Sequence, residues 1–219
     1  QSNMKTYQKG KPVKLSANFK STEFDCHGKG CCTETPIDEE LVEILQKVRE
    51  HFGTAVTVNS GYRCLVHNKN VGGASKTSNH MKGMAADIKI KGVHPVRIAR
   101  YLETLNVKGR IGCYTYDEKN TGFVHVDTGA KKSRAYYTEN NKDYENVSAL
   151  CPKIRKGDSG RIVIVIQRKL KSLGHYMGSI DGKCGPKTAE AITLFNFYHG
   201  RPQDAVWGPK CWEEAFPIK

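Results

Sequence analysis

The chain has 219 residues, 38% hydrophobic and 26% charged, a globular balance that excludes disordered and collagen-like classes. It has no run of about 18 apolar residues, so no membrane insertion is expected. Lys and Arg outnumber Asp and Glu by 35 to 22, a formal charge of +13, which favours a polyanionic partner. With no run of five basic residues and no aromatics interleaved with a basic stripe, nucleic acid is not expected to be that partner.

The length allows one large domain or two small ones. Gln1-Ser2-Asn3 ahead of Met4 reads as the scar of a cleavable tag, so the native chain is expected to start at Met4. No charged region followed by an apolar stretch comes after it, and synthesis in the cytoplasm without a signal peptide is expected. Eight cysteines divide as Cys26, Cys31, Cys32, Cys64 and Cys113 in the first part and Cys151, Cys184 and Cys211 in the last. Both counts are odd, so thiols are expected rather than a disulfide framework. Cys26-His27-x3-Cys31-Cys32 matches no standard zinc ribbon or finger and is expected to be a Cys-rich surface loop, with a second zinc site as the alternative.

Leu41, Ile44, Leu45, Val48 and Phe52 follow the 3.6-residue period and predict a helix over 38–52, capped by Asp38 and followed by Gly53. Residues 55–59 alternate as a short strand and run into the turn Ser60-Gly61. Residues 64–79 are polar and glycine-bearing, with Val71-Gly-Gly-Ala74 at their middle, and are expected to form a loop. A second strand, 85–90, turns Ala86, Ile88 and Ile90 to one face and Asp87 and Lys89 to the other. Pro95 opens a helix carrying Val96, Ala99, Leu102 and Leu105. Strands follow at 110–116 and 122–128. This order predicts a small α+β domain, helices against an antiparallel sheet, over residues 4–150. The polar stretch 131–148 is expected to be a separator.

Residues 151–219 are of another kind. Ile162, Val163, Ile166, Leu170 and Leu173 form a helical stripe between a capping Asp158 and Gly174. Asp181 to Glu190 realigns on Asp204 to Glu213, each copy a turn followed by Gly-Pro, so a bundle of about three short helices is predicted. Arg155-Lys-Gly-Asp-Ser-Gly160, Gln167, Ile180-Asp-Gly182, Gly185-Pro-Lys-Thr188 and Trp207-Gly-Pro-Lys210 resemble the peptidoglycan-binding domain carried by many wall hydrolases.

The chemistry concentrates in Ser78-x-His80-x-x-Gly83-x-Ala85-x-Asp87 and Gly122-Phe-Val-His125-Val-Asp127. Strand parity places Asp87 and His125 opposite the core residues. With His80 they offer two nitrogens and one carboxylate, a donor set suited to one zinc ion per chain with a fourth position left for water. Together with Ser60-Gly-Tyr-Arg63, Asn68 and Val71-Gly-Gly-Ala74, these segments resemble the zinc D-Ala-D-Ala carboxypeptidase and endolysin peptidase family, peptidase M15. The resemblance implies that His80, Asp87 and His125 bind the metal and that Arg63 engages a substrate carboxylate, with Ser78 nearby to assist or orient. Relatives carry an acidic residue or His two or three residues before the last ligand. Here those positions are Phe123 and Gly122. Asp127, about 6–7 Å along the same strand face, is the expected general base, the alternative being that it holds an imidazole. His67 comes next as a candidate for the base role. Hedgehog signalling domains share the family fold, so the fold alone does not establish catalysis.

The sequence therefore predicts a peptidoglycan hydrolase, endolysin-like, that cuts a stem-peptide bond at the bacterial cell wall. Carboxypeptidase and endopeptidase action share the ligands and differ in cleft walls. The competing reading is a wall-binding or signalling protein with a structural zinc.

Overall fold

The computed structural model describes residues 3–72, 74–116, 122–140 and 142–219. Gln1, Ser2 and Gly73, the last within the Val71 to Ala74 segment, lie outside the described residues. The chain begins with an antiparallel pair, β1 (Met4–Gln8) and β2 (Glu34–Asp38). Helix α1 (Glu39–Phe52) follows at once, its first turn capped by the Asp38 carboxylate accepting from Glu40 N at 3.4 Å. It ends at Gly53, whose φ of 63° belongs to the left-handed region that glycine tolerates. Leu41, Leu45 and Val48 on its inner stripe are fully buried, and burial of such side chains contributes about 1.5–3 kcal/mol each.

The remaining elements of the first part are β3 (Val56–Ser60), α2 (Leu65–Asn70), β4 (Ala85–Ile90), α3 (Pro95–Thr104), β5 (Arg110–Tyr114), β6 (Phe123–Asp127), β7 (Ser133–Tyr137) and β8 (Tyr144–Asn146). The strands form one six-stranded sheet in the order β3-β4-β6-β5-β7-β8. Its neighbours run antiparallel except β5 and β7, which are parallel. Val124, Val126, Ile88 and Ala86 face the covered side. The register of β4 on β6 sets Asp87 directly opposite His125, so two candidate ligands become neighbours on the uncovered face through backbone pairing alone.

Two expectations are corrected. The loop expected over 64–79 contains α2, a helix with no apolar stripe: Leu65 and Val66 are exposed, and Asn68 is its buried residue. Its cap is Cys64, whose Sγ accepts from His67 N at 3.4 Å, so tertiary placement decides what periodicity could not. The expected separator, 131–148, carries β7 and β8. Arg134 is buried, with Nη1 donating to Gly109 O and Nη2 to Val107 O, and Tyr136 is buried with its hydroxyl donating to Leu150 O at 2.7 Å. Polar composition here marks a strand whose polar atoms are satisfied inside. Asn141 of this stretch lies outside the described residues.

The last part consists of α4 (Arg161–Ser172), α5 (Pro186–Tyr198) and α6 (Pro209–Ala215) around Trp207, Trp212, Phe195 and Ile166. Asp158 does not cap α4. Gly160 stands at that position, and Glu145 of β8 accepts from Arg161 N at 2.6 Å. The two parts share further contacts. Arg100 of α3 donates to the carbonyls of Trp212 and Phe216, and Arg168 of α4 donates to Thr115 O and Thr138 O.

Candidate functional site

The three expected ligands converge. His80 sits in a 3-10 turn, 79–82, that enters β4, while Asp87 and His125 face each other across β4 and β6. His80 Nε2 lies 3.3 Å from Asp87 Oδ1 and 3.2 Å from His125 Nδ1, and His125 Nδ1 lies 2.9 Å from Asp87 Oδ1. Ligand atoms about 2.0–2.1 Å from a tetrahedral zinc lie about 3.3 Å from one another, so the donor set and its spacing both fit that ion.

Each imidazole is aimed by an acceptor on its far side. His80 Nδ1 donates to Gly61 O at 2.7 Å, which leaves the Nε2 lone pair facing the other two ligands. His125 Nε2 donates to Asp127 Oδ2 at 3.2 Å, turning Nδ1 to the shared centre. Burial holds the His80 pKa below its ordinary value. Burial works the same way on His125, but hydrogen bonds to Asp127 and Asp87 outweigh it and raise that pKa to about 9. Burial opposes ionisation of Asp87, yet His80 and His125 hold its pKa far below the usual carboxylate range.

Asp127, the expected base, is 4% exposed, and both its oxygens are engaged. Oδ2 meets His125, while Oδ1 accepts from Arg110 N at 3.0 Å and Gly129 N at 2.9 Å. Despite burial, its pKa is lowered to about 2 by His125, by Arg110 N and by the Asn79 side chain. Ser78 Oγ accepts from His80 N at 3.3 Å and so caps the turn that presents His80. Arg63 Nη2 lies 3.9 Å from Asp87 Oδ2, and its buried Nε has no hydrogen-bond partner among the described residues. His67 packs beside the cysteines, its Cβ close to Gly28.

These residues lie in a cleft of about 570 Å³ that Arg63, Ser78, His80, Asp87, His125 and Asp127 line together with Arg110, Lys131 and Lys142. One wall is aromatic: Tyr114 stacks between Phe123 and Tyr137, with ring centroids 4.0 and 3.8 Å away. Arg110, Tyr137, Tyr144 and the two lysines were not expected in the site. The Tyr136-Tyr137 pair was the available signal, since aromatic residues favour strands.

Residues 17–127 match the family described as Peptidase M15, and residues 159–214 match that described as Putative peptidoglycan binding domain. A probable peptidoglycan L,D-endopeptidase, MepK, of Haemophilus influenzae is 30% identical over 100 residues, covering 42% of this chain and 51% of that protein. An uncharacterised protein of Kitasatospora aureofaciens, from the bpoA1 3′ region, is 37% identical over 62 residues, covering 28% and 52%. The chain thus spans about half the length of these curated relatives. The crystal structure of the SleB N-terminal domain shares 36% identity over 29% of this chain and 88% of that one, with a TM-score of 0.29.

Proposed function

The chain belongs to the peptidase M15 family, and from that premise we propose that it is a zinc-dependent peptidoglycan peptidase, with residues 4–150 cutting a stem-peptide amide bond and residues 151–219 holding the wall. The observation that carries this reading is the convergence of His80, Asp87 and His125 in an open cleft, each imidazole aimed from behind by an acceptor. When bound, zinc polarises a carbonyl and lowers the pKa of its water from 15.7 to about 7.

The protein's own groups supply the rest. Gly61 O and Asp127 keep the protons of the two imidazoles on their outward nitrogens. Asp127 thereby takes the positioning role, the alternative to the base. Arg63, which lines the cleft, offers its guanidinium to a carboxylate of the stem peptide, a charge-assisted contact. Arg110, Lys131 and Lys142 make the cleft attractive to the other carboxylates of that peptide. Ser78 holds the His80 turn. The helical module keeps the cleft near its polymeric substrate and raises local substrate concentration. Among the described residues no helix is long and apolar enough to cross a membrane, and we place the action at the bacterial cell wall.

The test is incubation of the full chain with purified cell walls, with and without chelator, followed by mass spectrometry of the released muropeptides. New amino termini that appear only with metal support the reading, and free D-Ala or a split cross-link identifies the bond. Walls that bind the protein and stay intact with saturating zinc would leave the signalling or binding reading standing.

A further inference from the structure

A second group of metal-binding side chains lies outside the cleft. The Sγ atoms of Cys26, Cys31, Cys32 and Cys64 all lie within 4.8 Å of one another. Cys26 and Cys31 are 3.5 Å apart, Cys31 and Cys32 3.9 Å. Four thiolates about 2.3 Å from a tetrahedral zinc lie about 3.8 Å from one another, so the sulfurs already surround one centre. All four are free thiols. Of the segment expected to be a Cys-rich surface loop, Cys26 is buried and Cys31 and Cys32 are half-buried, and buried Cys64, 32 residues beyond Cys32, completes a set of four.

Hydrogen-bond donors face three of the four sulfurs. Cys64 N donates to Cys26 Sγ and His67 N to Cys64 Sγ, each at 3.4 Å. Lys9 Nζ lies 4.0 Å from Cys32 Sγ and is held there by Gly28 O at 2.7 Å. Gly28 packs so closely that a Cβ on it would fall 2.3 Å from Cys31 Sγ. Soft sulfur donors in a tetrahedral set select zinc over the hard cations.

We infer that Cys26, Cys31, Cys32 and Cys64 bind a second zinc ion, closed to substrate, that braces the segment carrying Arg63. The four thiols lose their protons to solvent as the ion binds. Cys64 is the next residue after Arg63. Tyr62 N donates to Phe24 O at 2.8 Å, and Gly61 lies so close to Phe24 that a Cβ there would meet its Cα at 2.6 Å. On its other side the same segment gives Gly61 O to His80 Nδ1 and takes His80 O on Arg63 N at 3.1 Å. The ion would therefore tie residues 26–32 to the strip 61–64 that aims His80 and Arg63. With the cleft ion it would bring the count to two zinc ions per chain, where the sequence led to the expectation of one.

The experiment uses the full chain purified under reducing conditions with zinc, then stripped and refilled with cobalt(II). Elemental analysis should find two zinc ions per chain, one in His80→Ala and one in Cys31→Ser/Cys32→Ser. Cobalt protein should show thiolate-to-metal charge transfer in the near ultraviolet. That band should survive in His80→Ala, because the cleft ligands contain no sulfur, and vanish in the cysteine variant. If the cysteine variant fails to fold, peptide mapping of the wild-type chain decides: these four cysteines should resist iodoacetamide until a chelator is added. Free alkylation of all four with zinc present, disulfides among them in the freshly purified protein, or a charge-transfer band that disappears in His80→Ala would each overturn the inference. Because these readouts do not involve wall hydrolysis, they stand or fall separately from the proposed activity.

Discussion

The two ligand clusters both meet the Gly61 to Cys64 strip, one through the contact of Gly61 O with His80 and the other through Cys64 itself, and differ in what they leave free. His80, Asp87 and His125 fill three positions around one point and face a cleft. The four cysteine sulfurs lie within 4.8 Å of one another around another point. Three donors plus an open position suit chemistry, and four donors suit structure. They also differ in what aims the donors. In the cleft each imidazole depends on a partner behind it, Gly61 O or Asp127, whereas two of the sulfurs are met by backbone N–H groups, one from the turn after Cys64 and one across the chain from Cys64 itself. The open cluster should therefore be sensitive to its neighbours, and the closed one mainly to its own ligands.

The largest expected effect breaks this pairing from one side. His125→Ala removes a ligand and should bring hydrolysis of purified walls down to the no-enzyme background, while the thiolate band of the cobalt protein persists. From the other side, Cys31→Ser/Cys32→Ser should leave hydrolysis measurable, with kcat/KM lowered about tenfold, the size of one weakened charged contact. Equal loss of activity in the two variants would show that the clusters are not separable in function.

Asp127→Asn comes next and separates aiming from proton transfer. An amide keeps the shape but does not accept the His125 Nε2 proton as strongly, so zinc affinity should fall about 10- to 100-fold. Turnover at saturating zinc should stay near wild type. A general base in this place would instead cost about 100- to 10,000-fold in turnover. Zinc titration followed by rates at saturating metal distinguishes the two.

Arg63→Ala should have an effect of similar size, differently placed. Its guanidinium lines the cleft, and a hydrogen bond to a charged group contributes about 1.5–3 kcal/mol, or roughly 10- to 150-fold in kcat/KM. The loss should appear in KM for soluble stem peptides, with zinc content unchanged. A zinc deficit would mean that Arg63 acts through Asp87, 3.9 Å away, and not through substrate.

How legible these regions were in the sequence follows from the range of the contacts that make them. The open cluster rests on period-2 alternation in β4 and β6: Ala86, Ile88, Val124 and Val126 mark the core face and thereby the face that Asp87 and His125 share. Helices α1 and α3 were legible for a similar reason, since their buried stripes and their end signals, the caps Asp38 and Gly53 and the first-turn Pro95, are local. The closed cluster was half legible. Cys26, Cys31 and Cys32 advertise themselves by proximity, but Cys64 joins them only because the strip 61–64 packs on Phe24, a contact that no spacing encodes. In β7 and β8 polar residues conceal a strand pair, because Arg134 meets its partners on distant carbonyls. Gly160 replaced Asp158 as cap of α4 because the acceptor comes from Glu145, 16 residues away on β8.

The smallest effect concerns Ser78, where the dependence of the open cluster on its neighbours is at its most local. Its hydroxyl caps the turn that presents His80, and loss of a capping side chain costs about 0.5–2 kcal/mol. Ser78→Ala should therefore lower stability by about 1 kcal/mol, which chemical denaturation of the full chain can read. Because the displaced turn carries a ligand, zinc affinity should fall a few-fold and KM for stem peptides should not change. Asn is as good a cap as Ser, so Ser78→Asn should restore both stability and zinc affinity. A hydroxyl that touches substrate would give the opposite pattern, with KM raised in both variants and stability recovered only in Ser78→Asn. The cysteine cluster supplies the control, since its thiolate band should be unchanged in either variant.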